Sequence, residues 1–140
     1  MFTDPIKNLR AFGLREDSIV ADLGAGTGHY SLAASILVPF GKVYAVEIAK
    51  DFLTTIKNRA TEAKCSNLEC LWGDVEKIGG TNLGDNIVDA VIASNILFQV
   101  SLYLDYYILP LLSNPFYFHS YNQSIDVSQC GVFSFQLLEN

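Results

Sequence analysis

Three glycines on alternate positions are the first residues of this chain whose spacing suggests chemistry. Gly24, Gly26 and Gly28 follow an apolar run at residues 18–23 and precede a helix-forming stretch. Glycine tolerates left-handed backbone and lets a ligand approach the main chain closely. The free amides that open the following helix, at about His29, favour an anionic group. The pattern predicts either a loop that cradles a nucleotide or cofactor, or a glycine-rich turn that only packs the helix.

Polar side chains stand near the end of each apolar, strand-like run. Asp22 lies near the end of the first run and Glu47 ends the second. Asp74 follows the third run, and Ser94 and Asn95 end the fourth. Glu47 follows the last loop glycine at about the 20-residue spacing at which an acid reaches ribose hydroxyls in a βαβ nucleotide unit. A single acid at a strand end is more often a solvated loop charge, but several at one edge of a sheet favour a ligand site.

The elements that must position these residues alternate along the chain. Apolar spacing and capping signals predict helices at 4–12, 29–38 and 49–63. Runs of strand-forming residues predict strands at 18–23, 42–47, 68–72 and 88–94. Strands that alternate with helices indicate an α/β fold, a doubly wound parallel sheet with right-handed crossovers.

Composition narrows the class of protein. The 140 residues fit one domain, and 15 acidic against 9 basic residues give a net charge of −6, which disfavours a broad nucleic-acid interface. Cys65, Cys70 and Cys130 form no Cys-x-x-Cys pair, so the sequence predicts neither a disulfide framework nor a metal site and indicates a reducing, cytoplasmic location. The amino terminus does not resemble a secretory signal, and no apolar run reaches the roughly 20 residues of a transmembrane helix.

Four segments form a set of motifs in a fixed order. They read Val-Ala-Asp-Leu-Gly-Ala-Gly-Thr-Gly at 20–28, Val-Tyr-Ala-Val-Glu-Ile at 43–48, Gly-Asp-Val at 73–75 and Val-Asp-Ala-Val-Ile-Ala-Ser-Asn at 88–95. Together they resemble the class I S-adenosylmethionine-dependent methyltransferases, over about residues 4–100. Within that family the chain looks like the small-molecule methyltransferases of ubiquinone and menaquinone biosynthesis. The resemblance implies a Rossmann-like sheet and S-adenosyl-L-methionine as the cofactor.

The resemblance also implies a set of cofactor-binding residues. They are Asp22, Gly24, Ala25, Gly26, Gly28, Tyr30, Glu47, Ile48, Asp74, Val75, Ser94 and Asn95. It implies that Gly24 and Gly26 pass close to the methionine part, and that Asp22 helps to orient its ammonium group through amides or water. It names no catalytic residue, because the cofactor carries an activated methyl group and the protein mainly aligns the acceptor.

At the nucleoside end, the resemblance assigns one acid to each polar part. Glu47 would hold both ribose hydroxyls, and Asp74 would accept the adenine amino proton. Ile48 and Val75 would sandwich the adenine ring between apolar faces.

Two related classes fit the motifs less well. A nicotinamide-binding Rossmann domain would place its third glycine at position 29, where the chain has His29. A nucleobase amino-methyltransferase would show an Asp- or Asn-Pro-Pro-aromatic motif after the fourth strand, where this chain reads Ser-Asn-Ile-Leu.

The composition changes abruptly near Val100. Residues 101–140 contain no Lys, Arg or Ala but hold more than half of the aromatic residues. We therefore expect a methyltransferase domain at 1–100 and an atypical carboxyl-terminal segment at 101–140, the mark of a truncated or frame-shifted chain with about four of seven strands. A divergent cap and a membrane-surface or partner-binding segment are the alternatives. The outer edge of the fourth strand would then lack a partner unless residues 131–138 pair with it.

The sequence thus predicts methyl transfer from S-adenosylmethionine to a small-molecule acceptor. The alternative is a non-catalytic fragment that binds the cofactor or nothing.

Overall fold

A computed structural model describes residues 4–10, 13–77, 79–93, 111 and 118–119 of the chain. The helices are α1 (Pro5–Arg10), α2 (His29–Leu37) and α3 (Lys50–Glu62). The strands are β1 (Ile19–Leu23), β2 (Lys42–Glu47), β3 (Leu68–Trp72), β4 (Ala90–Ile92) and β5 (Phe118–His119). The predicted alternation of strands and helices is confirmed over this part of the chain.

These strands form one sheet in the order β3-β2-β1-β4-β5, and every neighbouring pair is parallel. β1 lies in the middle, so its residues are buried almost without interruption. The register places Asp22 beside Ala45 and Glu47 beside Trp72. Because all strands run in one direction, the ends that carry the predicted polar residues meet at a single edge of the sheet.

The hydrophobic core joins α1 and α2 to the sheet. Its buried members are Leu9, Val20, Ala33, Ala34, Val38, Val43, Ala90 and Ile92. Small side chains on α2 allow the helix backbone to lie close to the strands. The Asn67 carboxamide donates hydrogen bonds to the carbonyls of Ser35 and Val38, at 3.0 and 2.8 Å. These bonds give partners to backbone carbonyls at the carboxyl end of α2.

The bounds of β1, β2, β3, α2 and α3 agree with the sequence to within one residue, whereas β4 is shorter than the predicted 88–94. The predicted end of the first helix at residue 12 lies outside the described residues. The Asp89 amide donates to the Ile19 carbonyl at 2.7 Å, and the Asp89 carboxylate accepts the Ile19 amide at 2.8 Å. This side-chain bond ties the chain to β1 just before the regular ladder of β4 begins. The sequence shows Asp89 only as a break in an apolar run.

The outer edge of β4, which the sequence left without an assigned partner, is paired. Phe118–His119 pairs parallel with Val91 and Ile92. The predicted strand at 131–138 lies outside the described residues. Part of the atypical segment therefore continues the sheet.

None of the helices in the described ranges is long and apolar enough to cross a membrane.

Candidate functional site

The glycine loop, residues 24–28, lies at the carboxyl end of β1 and is hydrogen-bonded to β2. The amides of Gly24 and Ala25 both donate to the Val46 carbonyl, at 2.9 and 3.1 Å. Gly24, Gly26 and Gly28 all have positive φ, of 70°, 58° and 88°. The predicted left-handed loop is confirmed, and α2 begins directly after it.

Gly26 and Gly28 need glycine for different reasons. A Cβ at Gly28 would lie 2.9 Å from Ile56 Cγ1, so this residue packs the loop against α3. A Cβ at Gly26 would meet no atom of the described residues within 4 Å. Gly26 therefore borders space that these residues leave open, and glycine lets a ligand approach the main chain closely there.

Glu47 connects the glycine loop with the start of α3. Its Oε2 accepts the Gly26 amide at 2.8 Å, and its Oε1 accepts the amides of Ile48 and Ala49, each at 3.0 Å. Ala49 is the N-cap of α3 and has no side chain that could cap the helix. The Glu47 carboxylate instead fixes the two residues just before α3, a contact that the sequence reasoning missed.

Removing the Glu47 carboxylate is expected to destabilise the fold as well as any ligand complex. Glu47→Ala leaves three amides without their acceptor and should lower the free energy of unfolding by about 3 kcal/mol in urea denaturation. Glu47→Gln should give an intermediate loss, because its NH₂ group would face backbone N–H donors. Glu69→Ala, which removes an exposed ion pair with Lys42, is the control and should change stability little. Equal midpoints for all the variants would contradict this account.

Asp22 lies beneath the loop as a buried carboxyl, with 1% of its surface exposed. The Ser31 hydroxyl donates to Oδ2 at 2.6 Å. Oδ1 has no hydrogen-bond partner among the residues that the structure describes. Burial raises the pKa of Asp22 to about 7, the Ser31 bond lowers it in part, and the nearby Glu47 charge raises it further. An unpartnered buried acceptor fits a cationic donor supplied by a ligand.

Asp74 begins the loop that follows β3. Its Oδ1 accepts the Glu76 amide at 3.0 Å, and Oδ2 lies 3.6 Å from Lys77 Nζ. The Gly73 amide donates to the Glu47 carbonyl at 3.2 Å, which places this loop beside the end of β2. Val75, the next predicted site residue, is half-buried.

Exposed apolar side chains border the same edge. Ile48 is 52% exposed and Trp72 is 51% exposed. The Trp72 indole donates to the Ile48 carbonyl at 2.9 Å, which holds the ring beside the end of β2. An exposed Ile48 agrees with its predicted contact with a planar ring. Trp72 was not predicted, and as the single tryptophan of the chain it can report binding by fluorescence.

Of the remaining predicted site residues, the structure describes Tyr30 but not Ser94 and Asn95. The Tyr30 hydroxyl accepts a hydrogen bond from Asn8 at 3.0 Å, and its ring packs against the core. Tyr30 therefore joins α1 to α2 at the start of the helix. Ser94 and Asn95 lie outside the described residues, so their predicted role stays a prediction.

Two contacts at the site escaped the sequence reasoning. Ser31 partners Asp22 from the first turn of α2, and Arg59 Nη1 donates to the Thr27 carbonyl at 3.0 Å. The serine could have been found from its position on the helix that follows the glycines. The arginine could not, because it lies on a different helix far along the chain.

Comparison with known proteins assigns the family. A family described as "Methyltransferase domain" matches residues 14–117, which is most of the chain. The protein belongs to the methyltransferase domain family. The predicted class, an S-adenosylmethionine-dependent methyltransferase, is confirmed at this level.

Two similar curated proteins are the ribosomal RNA small subunit methyltransferases G of Lactobacillus helveticus (strain DPC 4571) and Lactobacillus acidophilus (strain ATCC 700396 / NCK56 / N2 / NCFM). They are 32% and 31% identical over 119 residues, which is 84% of this chain and 49% of each relative. The chain thus spans about half the length of these relatives. Their names give no support to the predicted ubiquinone or menaquinone type.

Solved structures show the same fold. A SAM-dependent methyltransferase from Aquifex aeolicus superposes with a TM-score of 0.70 at 25% identity, covering 90% of this chain and 71% of its own. The precorrin-6y C5,15-methyltransferase of Geobacter metallireducens GS-15 gives a TM-score of 0.63 at 23% identity, over 76% and 55% of the two chains. The predicted Rossmann-like α/β fold is confirmed.

Proposed function

We propose that this chain binds S-adenosylmethionine at the glycine loop and serves methyl transfer from it. The observation that carries the proposal is the buried Asp22 carboxylate oxygen that has no partner among the described residues, beneath a loop whose Gly26 borders space that those residues leave open. When bound, the cofactor supplies an activated methyl group. The task of the protein is then to hold and orient the two reactants.

Asp22 is the residue that fits the ammonium group of the methionine part. Its Oδ1, which no group in the described part of the chain occupies, would accept the charged N–H, while Ser31 keeps Oδ2 oriented. A charge-assisted bond in a buried place is stronger than a neutral one, so it favours the ionised carboxylate.

Glu47 fits the ribose with a restriction that the sequence did not reveal. A carboxylate offers about four lone-pair directions, and three of these already accept the amides of Gly26, Ile48 and Ala49. One hydroxyl can bind Oε2 without disturbing the protein. A second ribose hydroxyl would have to displace an amide, so we assign one direct bond to Glu47 rather than two.

Ile48 and Val75 remain the proposed apolar faces for the adenine ring, and Asp74 the proposed acceptor for its amino group. Support comes from the exposure of Ile48 and from the bond between Gly73 and the Glu47 carbonyl, which brings this loop close to the ribose site. The Asp74 carboxylate is oriented by the Glu76 amide.

Calorimetric titration with S-adenosylhomocysteine, S-adenosylmethionine and NAD tests this function. We expect both sulfur cofactors to bind at least about tenfold more tightly than NAD, because Asp22 matches an amino acid ammonium and not a pyrophosphate. Tighter binding of NAD would overturn the proposal in favour of a nicotinamide-binding domain. No binding of any of the three would favour the non-catalytic alternative.

For the methyl acceptor we propose a small molecule. The net charge of −6 supports this choice, because RNA binding depends on neutralising phosphates with basic side chains. The second candidate is ribosomal RNA, which the names of the two curated relatives favour. Binding to small-subunit ribosomal RNA that falls steeply with added salt would support the second candidate and contradict the first.

We also propose a cytoplasmic location. The support is that Cys65 and Cys70 are free thiols, as expected in a reducing compartment.

A further inference from the structure

The glycine loop is held from the side of β2 and α3 by three different contacts. The Gly26 amide donates to Glu47, Gly28 packs against Ile56, and the Thr27 carbonyl accepts the Arg59 guanidinium. Ile56 and Arg59 are three residues apart on α3, so they lie on one face of the helix. The middle contact, from Arg59, is the only one of the three made by a formal positive charge.

The position of Thr27 in the sequence allows one contact to restrain both neighbouring glycines. Thr27 lies between two residues with left-handed backbone, Gly26 at φ 58° and Gly28 at φ 88°. Glycine loses more conformational freedom on ordering than any other residue, so fixing two glycines in one loop costs conformational entropy. A flexible loop loses this conformational entropy when the ligand binds, which weakens binding. A loop that is already restrained does not.

Resting on the proposed function, we propose that Arg59 is a positioning residue for S-adenosylmethionine. Its guanidinium holds the Thr27 carbonyl on the α3 side of the loop and so keeps the Gly26 side open for the methionine part. Arg59 acts through the loop and does not touch the cofactor. A charged donor is suited to this, because its bond to a carbonyl is stronger than a neutral one.

The test compares Arg59→Met, which keeps the aliphatic stem, with Arg59→Lys, which keeps the charge. Lys57→Met is the matched control, because it removes an exposed cation from the same helix. For each protein the full chain is measured in three ways: S-adenosylhomocysteine affinity by calorimetry, urea midpoint, and hydrogen exchange at the amides of Gly26 and Gly28.

We expect Arg59→Met to weaken S-adenosylhomocysteine binding roughly tenfold and to speed exchange at both glycine amides, with a urea midpoint near that of the parent. Arg59→Lys should recover part of the affinity, and Lys57→Met should match the parent. Unchanged affinity and exchange in Arg59→Met would overturn the inference. So would a loss of affinity that only follows a loss of global stability.

The exchange measurement separates this inference from the proposed function. If the parent chain binds no S-adenosylhomocysteine, the proposed function fails. Faster glycine exchange in Arg59→Met would still show that Arg59 orders the loop, and unchanged exchange would overturn that role too.

Discussion

Replacing Gly26 with valine is expected to abolish the binding of S-adenosylhomocysteine while the sheet stays folded. The new side chain would project into the space beside the loop, where no atom of the residues described by the structure lies within 4 Å of a Cβ. The protein can therefore accommodate the side chain, but the methionine part cannot share that space. We expect the affinity, measured by calorimetry, to fall by more than about a hundredfold.

Gly13→Val is the matched control for this prediction. Gly13 has φ +67°, close to the +58° of Gly26, and a Cβ there would also meet open space. In both variants a β-branched residue occupies left-handed backbone, and this strain destabilises the fold by about 1–3 kcal/mol. Only Gly26→Val should lose binding. Equal affinity in the two variants would show that the loop does not border the cofactor.

The second large effect is a dependence of stability and binding on the protonation of Asp22. Burial raises its pKa from the ordinary 3.8 to about 7, so between these values the folded protein holds a proton that the unfolded chain releases. The contribution of Asp22 to the free energy of unfolding should therefore be fully present below about pH 4, be lost as the pH rises to about 7, and level off above. The difference between the two pKa values corresponds to about 4 kcal/mol in total.

Binding should respond in the opposite direction. A cationic ammonium favours ionised Asp22, so S-adenosylhomocysteine affinity should increase with pH up to about pH 7, approaching tenfold per unit at the lower end. Asp22→Asn should remove both slopes. His29→Gln controls for the exposed imidazole at the start of α2 and should keep them. Parent-like slopes in Asp22→Asn would contradict the assignment.

The sequence predicts the bounds of a strand best where both its own residues and the flanking signals indicate a strand. The bounds of β2 and β3 are those predicted, because each is a run of strand formers between turn or helix signals. β4 ends up shorter because Asp89 bonds to the Ile19 amide, a contact between residues 70 positions apart. Local patterns carry no information about such a bond.

In the candidate site, too, the sequence predicts local features but not the contacts between distant residues. The backbone conformation of Gly26 follows from residue type and spacing, and so does the burial of Asp22 at the end of a central strand. The amides that occupy Glu47 and the contact of Arg59 with Thr27 depend on how α3 packs against the loop. Those contacts arise only once the crossover has brought distant residues together.

The carboxyl-terminal part illustrates a further limit. An alternating pattern predicts a strand at residues 131–138 and leaves its place in the sheet open, whereas Phe118–His119 lies beside β4. The family match also continues to residue 117, beyond the change in composition near Val100. The division of the chain at that residue remains a prediction.

The most direct test of the cofactor site is an NMR titration of the ¹⁵N-labelled chain with S-adenosylhomocysteine. We predict that the largest amide shift changes fall on Gly24, Gly26 and Gly28, on Ile48 beside the bridging Glu47, and on Val75. These amides surround the space between the ends of β1, β2 and β3. Saturable binding whose largest changes lie elsewhere, or no change at all with S-adenosylhomocysteine in excess, would contradict the assignment of this edge as the S-adenosylmethionine site.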